Sequence, residues 1–263
     1  RKLSPKKGNS LVLTLDSRVQ GKLETLMDKV LGKNSVEGSA VVMKVQTGEI
    51  IAMVSKPSFN PNSFATGISR KQWNGLVLDE KNPLQNRTID GQYPPASTYK
   101  VVTAYAALSE KIIKPESTIF CPGHFRLGNR NYRCWKKKGH GNMNLHDALV
   151  QSCDVYFYTL GHRLGINNLA KYATKLGLGE LTGIELKGEK SGLVPSKQWK
   201  KKFKNEVWYP GETISASIGQ GYNLVTPLQS VRMISTIASG GLLVRPYLVK
   251  KIKDADGNLI QEF

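Results

Sequence analysis

The hydrophobic positions near the start of the chain follow two different periods. Residues 11–16 follow a strand-like pattern in which Thr14 and Asp16 are the polar positions. Residues 17–31 instead carry apolar side chains three or four positions apart, as an amphipathic helix does. Residues 39–45 and 49–55 are rich in strand-forming side chains, and Gln46-Thr47-Gly48 joins them. We therefore predict a strand, a helix and a β-hairpin, in that order.

The middle of the chain follows the helical period. We predict helices over residues 97–111, 145–164 and 167–176, with a glycine-rich loop over 176–195. Residues 226–239 form a further predicted helix, because Pro227 suits its first turn and Gly240-Gly241 suits its end. Short strands are expected over residues 242–249 and 251–263, around a turn at Asp256-Gly257-Asn258.

This order of elements predicts an α/β domain into which a helical subdomain is inserted. We expect a linker at residues 1–10, the domain at residues 11–263 and the helical subdomain at about 110–225. The chain has no apolar stretch of the length that crosses a bilayer, and its beginning resembles a linker. We therefore expect a domain excised from a longer protein.

The formal net charge of +18 points to an anionic partner. The basic residues are scattered apart from two runs, at residues 136–138 and 200–204, and no nucleic-acid recognition motif accompanies them. We therefore favour a solvated face, or attraction to a cell-wall polymer or lipid headgroups, over nucleic acid.

The pair Ser97-x-x-Lys100 is the first candidate for chemistry. It lies between Pro94-Pro95 and an apolar helical pattern, which places Ser97 at a helix start with Lys100 one turn later. An amine can take the proton of a serine hydroxyl, and free backbone N–H groups can stabilise the oxyanion that follows. The alternative is an ordinary helix-capping serine beside a surface lysine.

The second candidate is Ser152-x-Asp154, at the start of an apolar run. From there, Ser152 could relay a proton between Lys100 and a leaving amine, while Asp154 could orient Lys100. The alternative is a plain helix cap followed by core residues.

Five stretches resemble the penicillin-recognising serine acyltransferases, and within them the penicillin-binding protein 2 group of cell elongation. They are residues 93–100, 133–141, 152–158, 218–221 and 226–229. They contain S-x-x-K and S-x-D, the latter similar to a variant of the S-x-N motif that accompanies S-x-x-K and K-T-G in this family. The resemblance extends from about residue 9 to the end of the chain.

The resemblance implies a penicilloyl-serine-transferase fold, in which an antiparallel sheet flanked by helices accompanies a helical subdomain. It also implies a peptidoglycan DD-transpeptidase. Ser97 would attack the penultimate D-alanine carbonyl of a stem peptide, with Lys100 as base and Ser152 as proton relay, and the acyl group would pass to an amine of a neighbouring stem peptide. β-Lactam antibiotics would acylate the same serine.

The family's third motif, Lys-Ser/Thr-Gly-Thr, should follow residues 226–229, and the chain ends at Phe263 without it. Lys190-Ser191-Gly192 is rejected as a match, because Leu193 follows it and its glycine-bounded context indicates a surface loop. We therefore expect the last strands of the sheet to be missing from this chain, and the chain alone to be inactive or impaired. A non-catalytic penicillin-sensing or scaffold module is the alternative function, and a serine β-lactamase is a less favoured one.

Cys121, Cys134 and Cys153 lie close together in the sequence with His140, and three thiolates and an imidazole make a tetrahedral zinc set. The resemblance supports structural zinc, since some penicillin-binding protein 2 homologues bind it at matching positions. A Cys121–Cys134 disulfide with a buried Cys153 is the alternative. His124 and His146 are spare ligand candidates, better explained as solvated or core histidines.

The resemblance further implies partners and a compartment. The ligands would be stem peptides ending in D-Ala-D-Ala and β-lactams, and the partners would be the elongation glycosyltransferase and its regulators. The domain would lie on the periplasmic side of the bacterial inner membrane, anchored by an N-terminal helix that this chain does not contain.

Overall fold

A computed structural model describes residues 7–32, 36–65 and 67–263. The helices are α1 (Ser17–Gly32), α2 (Arg70–Val77), α3 (Lys100–Ser109), α4 (Leu145–Val150), α5 (Asp154–Lys175), α6 (Lys197–Lys204), α7 (Pro210–Ala216) and α8 (Pro227–Ala238). Short 3-10 turns cover Pro61–Phe64 and Ala96–Tyr99. The strands are β1 (Ser10–Leu13), β2 (Gly38–Met43), β3 (Ile50–Lys56), β4 (Ile119–Cys121), β5 (His124–Leu127), β6 (Arg130–Arg133), β7 (Gly141–Met143), β8 (Val249–Lys253) and β9 (Leu259–Glu262).

All of these strands pair antiparallel. β8 lies between β1 and β9 in a three-stranded sheet, and β2–β3, β4–β7 and β5–β6 form two-stranded pairs. The chain divides into two compact units. One contains residues 1–91, 181–190 and 226–263, and the other contains residues 92–180 and 191–225.

The core of the first unit forms around the β2–β3 hairpin. Buried apolar side chains come from the hairpin, from α8, from the segments between them and from the segment after α8: Met43, Ile50, Ile89, Ile184, Leu228 and Val244. Thr226 caps α8, since its side chain accepts from the backbone of Gln229 while the Gln229 side chain accepts from the Thr226 N–H. This is the helix start that Pro227 predicted.

The core of the second unit forms where α3 and α5 pack together. Val102 and Ala106 of α3 are fully buried, as are Tyr156, Phe157 and Leu160 of α5. Helix α7 packs closely on α5 at Gly161, where a Cβ atom would lie 2.2 Å from the Cβ of Ser217. The α3–α5 pair is the rigid base beneath the candidate site described below.

Several predicted elements are confirmed. Helix α1 and the hairpin β2–β3 lie where the hydrophobic pattern placed them, β1 covers the start of the predicted first strand, and α8 matches residues 226–239 within one residue at each end. The helix predicted over 167–176 is the second half of α5, which Gly165 separates from the first half by its positive φ of 72°.

Other predictions were wrong. The first turn of the helix predicted over 97–111 is a 3-10 turn, and the helix predicted over 145–164 is broken at residues 151–153. Residues 242–246 form no strand, and the tail strand begins at Val249. The four short strands β4–β7 and the helices α2, α6 and α7 were not predicted, because elements this short carry too few periodic positions.

The predicted linker and domain boundaries stay predictions. Residues 1–6 of that linker lie outside the described residues, and Ser10 already begins β1. In the described parts of the chain, no helix is both long enough and apolar enough to cross a bilayer.

Candidate active site

Ser97 lies in the 3-10 turn that leads directly into α3. Its side chain is at the surface, whereas Tyr99 and Lys100 are buried beneath it. The turn therefore presents one hydroxyl outward and anchors the next residues in the core. A nucleophile requires this arrangement, in which an exposed hydroxyl is held by a buried, well-anchored backbone.

The turn is held from the other side by Gly219. Ala96, directly before Ser97, has a positive φ of 49°, which is uncommon for a residue with a side chain. Its N–H donates to the Gly219 carbonyl at 3.0 Å. A Cβ atom on Gly219 would lie 2.3 Å from the Ala96 carbonyl oxygen, so only glycine fits there. Gly219 was part of a motif in the sequence, but the motif did not reveal this contact.

Ser152 occupies a sharp corner between α4 and α5. Its φ is +50°, and the N–H groups of Ser152 and Cys153 donate back to the carbonyls of Leu149 and Ala148 (3.1 and 2.9 Å). The chain therefore leaves α4 through a left-handed residue and enters α5 at Asp154. This corner is what breaks the predicted helix, and it turns the Ser152 side chain toward α3.

Lys100 joins the two motifs. Its Nζ donates to Ser152 Oγ and to the Ser152 carbonyl, both at 2.9 Å, and to Asp154 Oδ1 at 2.6 Å. Ser152 Oγ in turn donates to Ser97 Oγ at 3.1 Å. The lysine side chain is only 2 % exposed, so the hydrogen bonds of Lys100 are largely shielded from water, whereas the one between Ser152 and Ser97 is exposed.

The structure thus brings all four predicted catalytic residues, Ser97, Lys100, Ser152 and Asp154, into one hydrogen-bonded network. The path from Lys100 to Ser97 runs through Ser152, and the described residues include no direct hydrogen bond between Lys100 Nζ and Ser97 Oγ. The sequence had placed Lys100 one turn after Ser97 and within its direct reach. The roles of these residues stay predictions.

The candidate metal ligands also meet. The ligand atoms of Cys121, Cys134, His140 and Cys153 lie within 4.8 Å of one another, and His140 Nδ1 is 3.5 Å from the sulfurs of both Cys121 and Cys134. Ligands of a tetrahedral zinc, about 2.3 Å from the metal, are themselves about 3.8 Å apart. The residues therefore fit a zinc ion. The structure describes all three cysteines as unpaired, and the choice between zinc and a Cys121–Cys134 disulfide stays a prediction.

The protonation of this cluster follows from its burial. Burial raises the pKa of the Cys153 thiol to about 12, so a nearby cation is needed to hold it as a thiolate at neutral pH. Burial, followed by the charge of Lys136, lowers the pKa of His140, which favours the neutral imidazole that binds metals.

The remaining candidates lie elsewhere. His124 is exposed on β5, and His146 is exposed on α4 beside Asp147. Lys190 and Ser191, which the sequence analysis rejected as a third motif, are exposed in a loop without regular structure.

Comparison with known proteins decides the family. Residues 38–262 match the family model of the penicillin binding protein transpeptidase domain. The chain belongs to the penicillin-binding protein transpeptidase family.

Members of this family share both sequence and structure with the chain. The peptidoglycan D,D-transpeptidase MrdA of Escherichia coli K12 is 39% identical over 251 residues, which are 95% of this chain and 39% of that protein. A crystal structure of Pseudomonas aeruginosa PBP2 in complex with WCK 5153 has a TM-score of 0.88 and 39% identity, covering 98% of this chain and 56% of that one. Helicobacter pylori PBP2 in a complex with MreC has a TM-score of 0.84 and 38% identity, covering 93% and 46%.

These similarities confirm the resemblance and the fold class that the motifs implied. The chain spans about two fifths of the length of its curated transpeptidase relative from Escherichia coli. Trp135 also lies at the site. It belongs to the resembling stretch 133–141 and follows a predicted metal ligand, but the sequence analysis gave it no role.

Proposed function

We propose that this chain carries the acyl-transfer site of a peptidoglycan DD-transpeptidase, with Ser97 as the nucleophile. One observation carries the proposal: in a member of this family, Ser152 Oγ bridges Lys100 Nζ and the exposed Ser97 hydroxyl at 2.9 and 3.1 Å. A curated relative carries the name peptidoglycan D,D-transpeptidase, which supports the same activity here.

Attack by Ser97 requires a route for its proton. The proton passes to Ser152 Oγ while Ser152 passes its own proton to Lys100 Nζ, so both hydrogen bonds reverse direction. Lys100 must enter this step with a lone pair, because an ammonium group has three donors and no acceptor. The ammonium that forms then meets three acceptors, namely two oxygens of Ser152 and one of Asp154. The network is thus complementary to the product of proton transfer.

After Ser97 has attacked, the network gives the proton to the leaving group. The amine of the terminal D-alanine leaves with a proton delivered from Lys100 through Ser152, and an ester remains on Ser97. An amine of another stem peptide attacks this ester, gives its proton to the network and restores Ser97. One amide bond replaces another, so no further reactant is needed. A β-lactam stops at the ester, because its leaving amine stays tethered.

We also propose that Cys121, Cys134, His140 and Cys153 hold a structural zinc ion. Bound zinc would keep the thiols deprotonated and join β4, the segment after β6 and the corner at Ser152. Cys153 lies between Ser152 and Asp154, so zinc ligation would restrain both. The role is structural, because four protein ligands leave no open position.

The partners and the compartment are proposed from the relatives. The Helicobacter pylori protein is in a complex with MreC, and another similar chain belongs to a peptidoglycan synthase complex that coordinates polymerization and crosslinking. We propose stem peptides and β-lactams as ligands, with an elongation glycosyltransferase and its regulators as partners. The site would act on the periplasmic side of the inner membrane, with an N-terminal helix as the anchor of the full-length protein.

The decisive experiment is covalent labelling of the full-length protein with a penicillin, followed by intact-mass measurement and peptide mapping. We expect one stable adduct on Ser97, none in Ser97→Ala, and undiminished labelling in Lys190→Ala, which alters only the rejected motif. Labelling that persists in Ser97→Ala would overturn the assignment. Absence of labelling in the wild type would favour the scaffold function, and rapid release of hydrolysed drug would favour a β-lactamase.

A further inference from the structure

Trp135 combines an exposed side chain with fixed hydrogen bonds. Its side chain is largely in solvent, at 63% exposure. Nevertheless, its indole Nε1–H donates to the carbonyls of Gln151 and Ser152 (3.0 and 3.1 Å), and its backbone N–H donates to Asp154 Oδ2 at 3.0 Å. An exposed tryptophan whose two N–H groups are both used within the protein is held in one orientation.

The acceptors of Trp135 are those of Lys100. The Ser152 carbonyl accepts from Lys100 Nζ and from the Trp135 indole, and the Asp154 carboxylate accepts from Lys100 at Oδ1 and from Trp135 at Oδ2. Trp135 therefore binds the far side of both groups that orient the lysine amine. With a donor on each oxygen, the carboxylate of Asp154 cannot rotate without losing a hydrogen bond.

The backbone at Ser152 needs the hydrogen bonds that Trp135 donates. Ser152 is a non-glycine residue with positive φ, a conformation that local sterics disfavour and that the surroundings must hold in place. If the Ser152 peptide turned, its carbonyl would leave Lys100 and its hydroxyl would leave Ser97. The indole N–H bonds two successive carbonyls of this corner, those of Gln151 and Ser152, and so opposes that movement.

We propose that Trp135 is a positioning residue for proton transfer between Ser97 and Lys100. It acts through the Ser152 carbonyl and the Asp154 carboxylate, and it touches neither Ser97 nor Lys100 by a hydrogen bond. The inference rests on the proposed function. It predicts that the chemical step of acylation depends on the indole N–H more than drug binding does.

The test separates binding from chemistry by measuring the acylation of the full-length protein over a range of penicillin concentrations. In Trp135→Phe, which keeps a ring and loses the N–H, we expect the limiting acylation rate constant to fall about tenfold or more, as loss of one orienting group in general acid–base catalysis does. The dissociation constant of the non-covalent complex should change by less than about twofold. Trp73→Phe is the matched control, since Trp73 is also exposed and packs only against Phe64 among the rings described.

A second substitution guards against a folding defect. A tryptophan analogue with sulfur in place of the indole nitrogen, inserted at position 135, keeps the shape and removes only the donor. It should reproduce the fall in the rate constant while the protein stays folded, with at most a small drop in the melting temperature.

The other outcomes overturn the inference. An unchanged rate constant in the sulfur analogue would show that the indole N–H is dispensable. A larger dissociation constant with an unchanged rate constant would show that Trp135 contributes to drug binding instead. If the wild type is not acylated at all, the proposed function fails and this inference fails with it.

Discussion

Ser152 Oγ lies 3.1 Å from Ser97 Oγ, although 55 residues separate them in the chain. Because Lys100 reaches Ser97 only through this hydroxyl, we predict that its removal lowers the acylation rate constant by about 10²–10⁴-fold, the usual range for a positioned proton-transfer group. Ser152→Gly is the preferred variant, since glycine adopts the φ of +50° without strain. Stopped-flow measurement with a chromogenic cephalosporin tests this. A rate within threefold of wild type would mean that Lys100 acts on Ser97 without the relay.

Gly219 and Gly221 provide a matched pair for testing the turn at Ser97. Both have a positive φ (73° and 71°), so alanine at either position costs about 1–2 kcal/mol in backbone strain. A Cβ on Gly221 meets nothing closer than 3.7 Å, whereas one on Gly219 would lie 2.3 Å from the Ala96 carbonyl oxygen. We expect Gly219→Ala to abolish penicillin labelling and Gly221→Ala to lower only the melting temperature. Equal labelling by the two variants would contradict the role of Gly219 in holding the turn.

The zinc proposal is tested at Cys153. We expect the wild type to contain one zinc per chain by elemental analysis, and Cys153→Ser to contain much less, because serine is a poor zinc ligand. The variant should also acylate more slowly, since Ser152 and Asp154 flank the lost ligand. His124→Ala, at an exposed histidine outside the cluster, is the control and should keep its zinc. A wild type without metal, with a mass two hydrogens lower than the free thiols require, would support the disulfide instead.

Glu49 makes the stability of the first unit depend on pH. Its carboxylate pairs with Lys250 at 2.8 Å and Lys44 at 3.3 Å, and its side chain is 9% exposed. These partners, Lys250 first, hold the pKa of Glu49 below its ordinary value of 4.5. A lowered folded-state pKa means that the unfolded state binds the proton more readily, so the stabilisation is complete above pH 4.5 and is lost as the pH falls through the folded pKa.

We therefore expect Glu49→Gln to lower the free energy of unfolding at pH 7, and the gap from wild type to narrow steadily below pH 4.5. Urea denaturation at a series of pH values, followed by circular dichroism, measures both curves. Parallel curves over the whole range would show that Glu49 contributes nothing through its charge.

Structural features that depend on residues close together in the chain could be predicted from the sequence. The period of apolar side chains predicted α1, β2 and β3, because the apolar side chains of each element recur at the period of that element along its own length. Pro227 and the paired glycines predicted the limits of α8 in the same way. The two short motifs predicted that Ser97, Lys100, Ser152 and Asp154 belong to one site, since their residue types together suit acyl transfer.

The sequence by itself thus determined the family, the main local elements and which short motifs form the candidate site. Only the tertiary structure decided that Ser152 lies between Lys100 and Ser97, that Gly219 supports the nucleophile turn, and that Trp135 shares the acceptors of Lys100. The physical reason is that these contacts join segments far apart in the chain and depend on two left-handed residues, Ala96 and Ser152. Local preference disfavours that conformation, and packing imposes it.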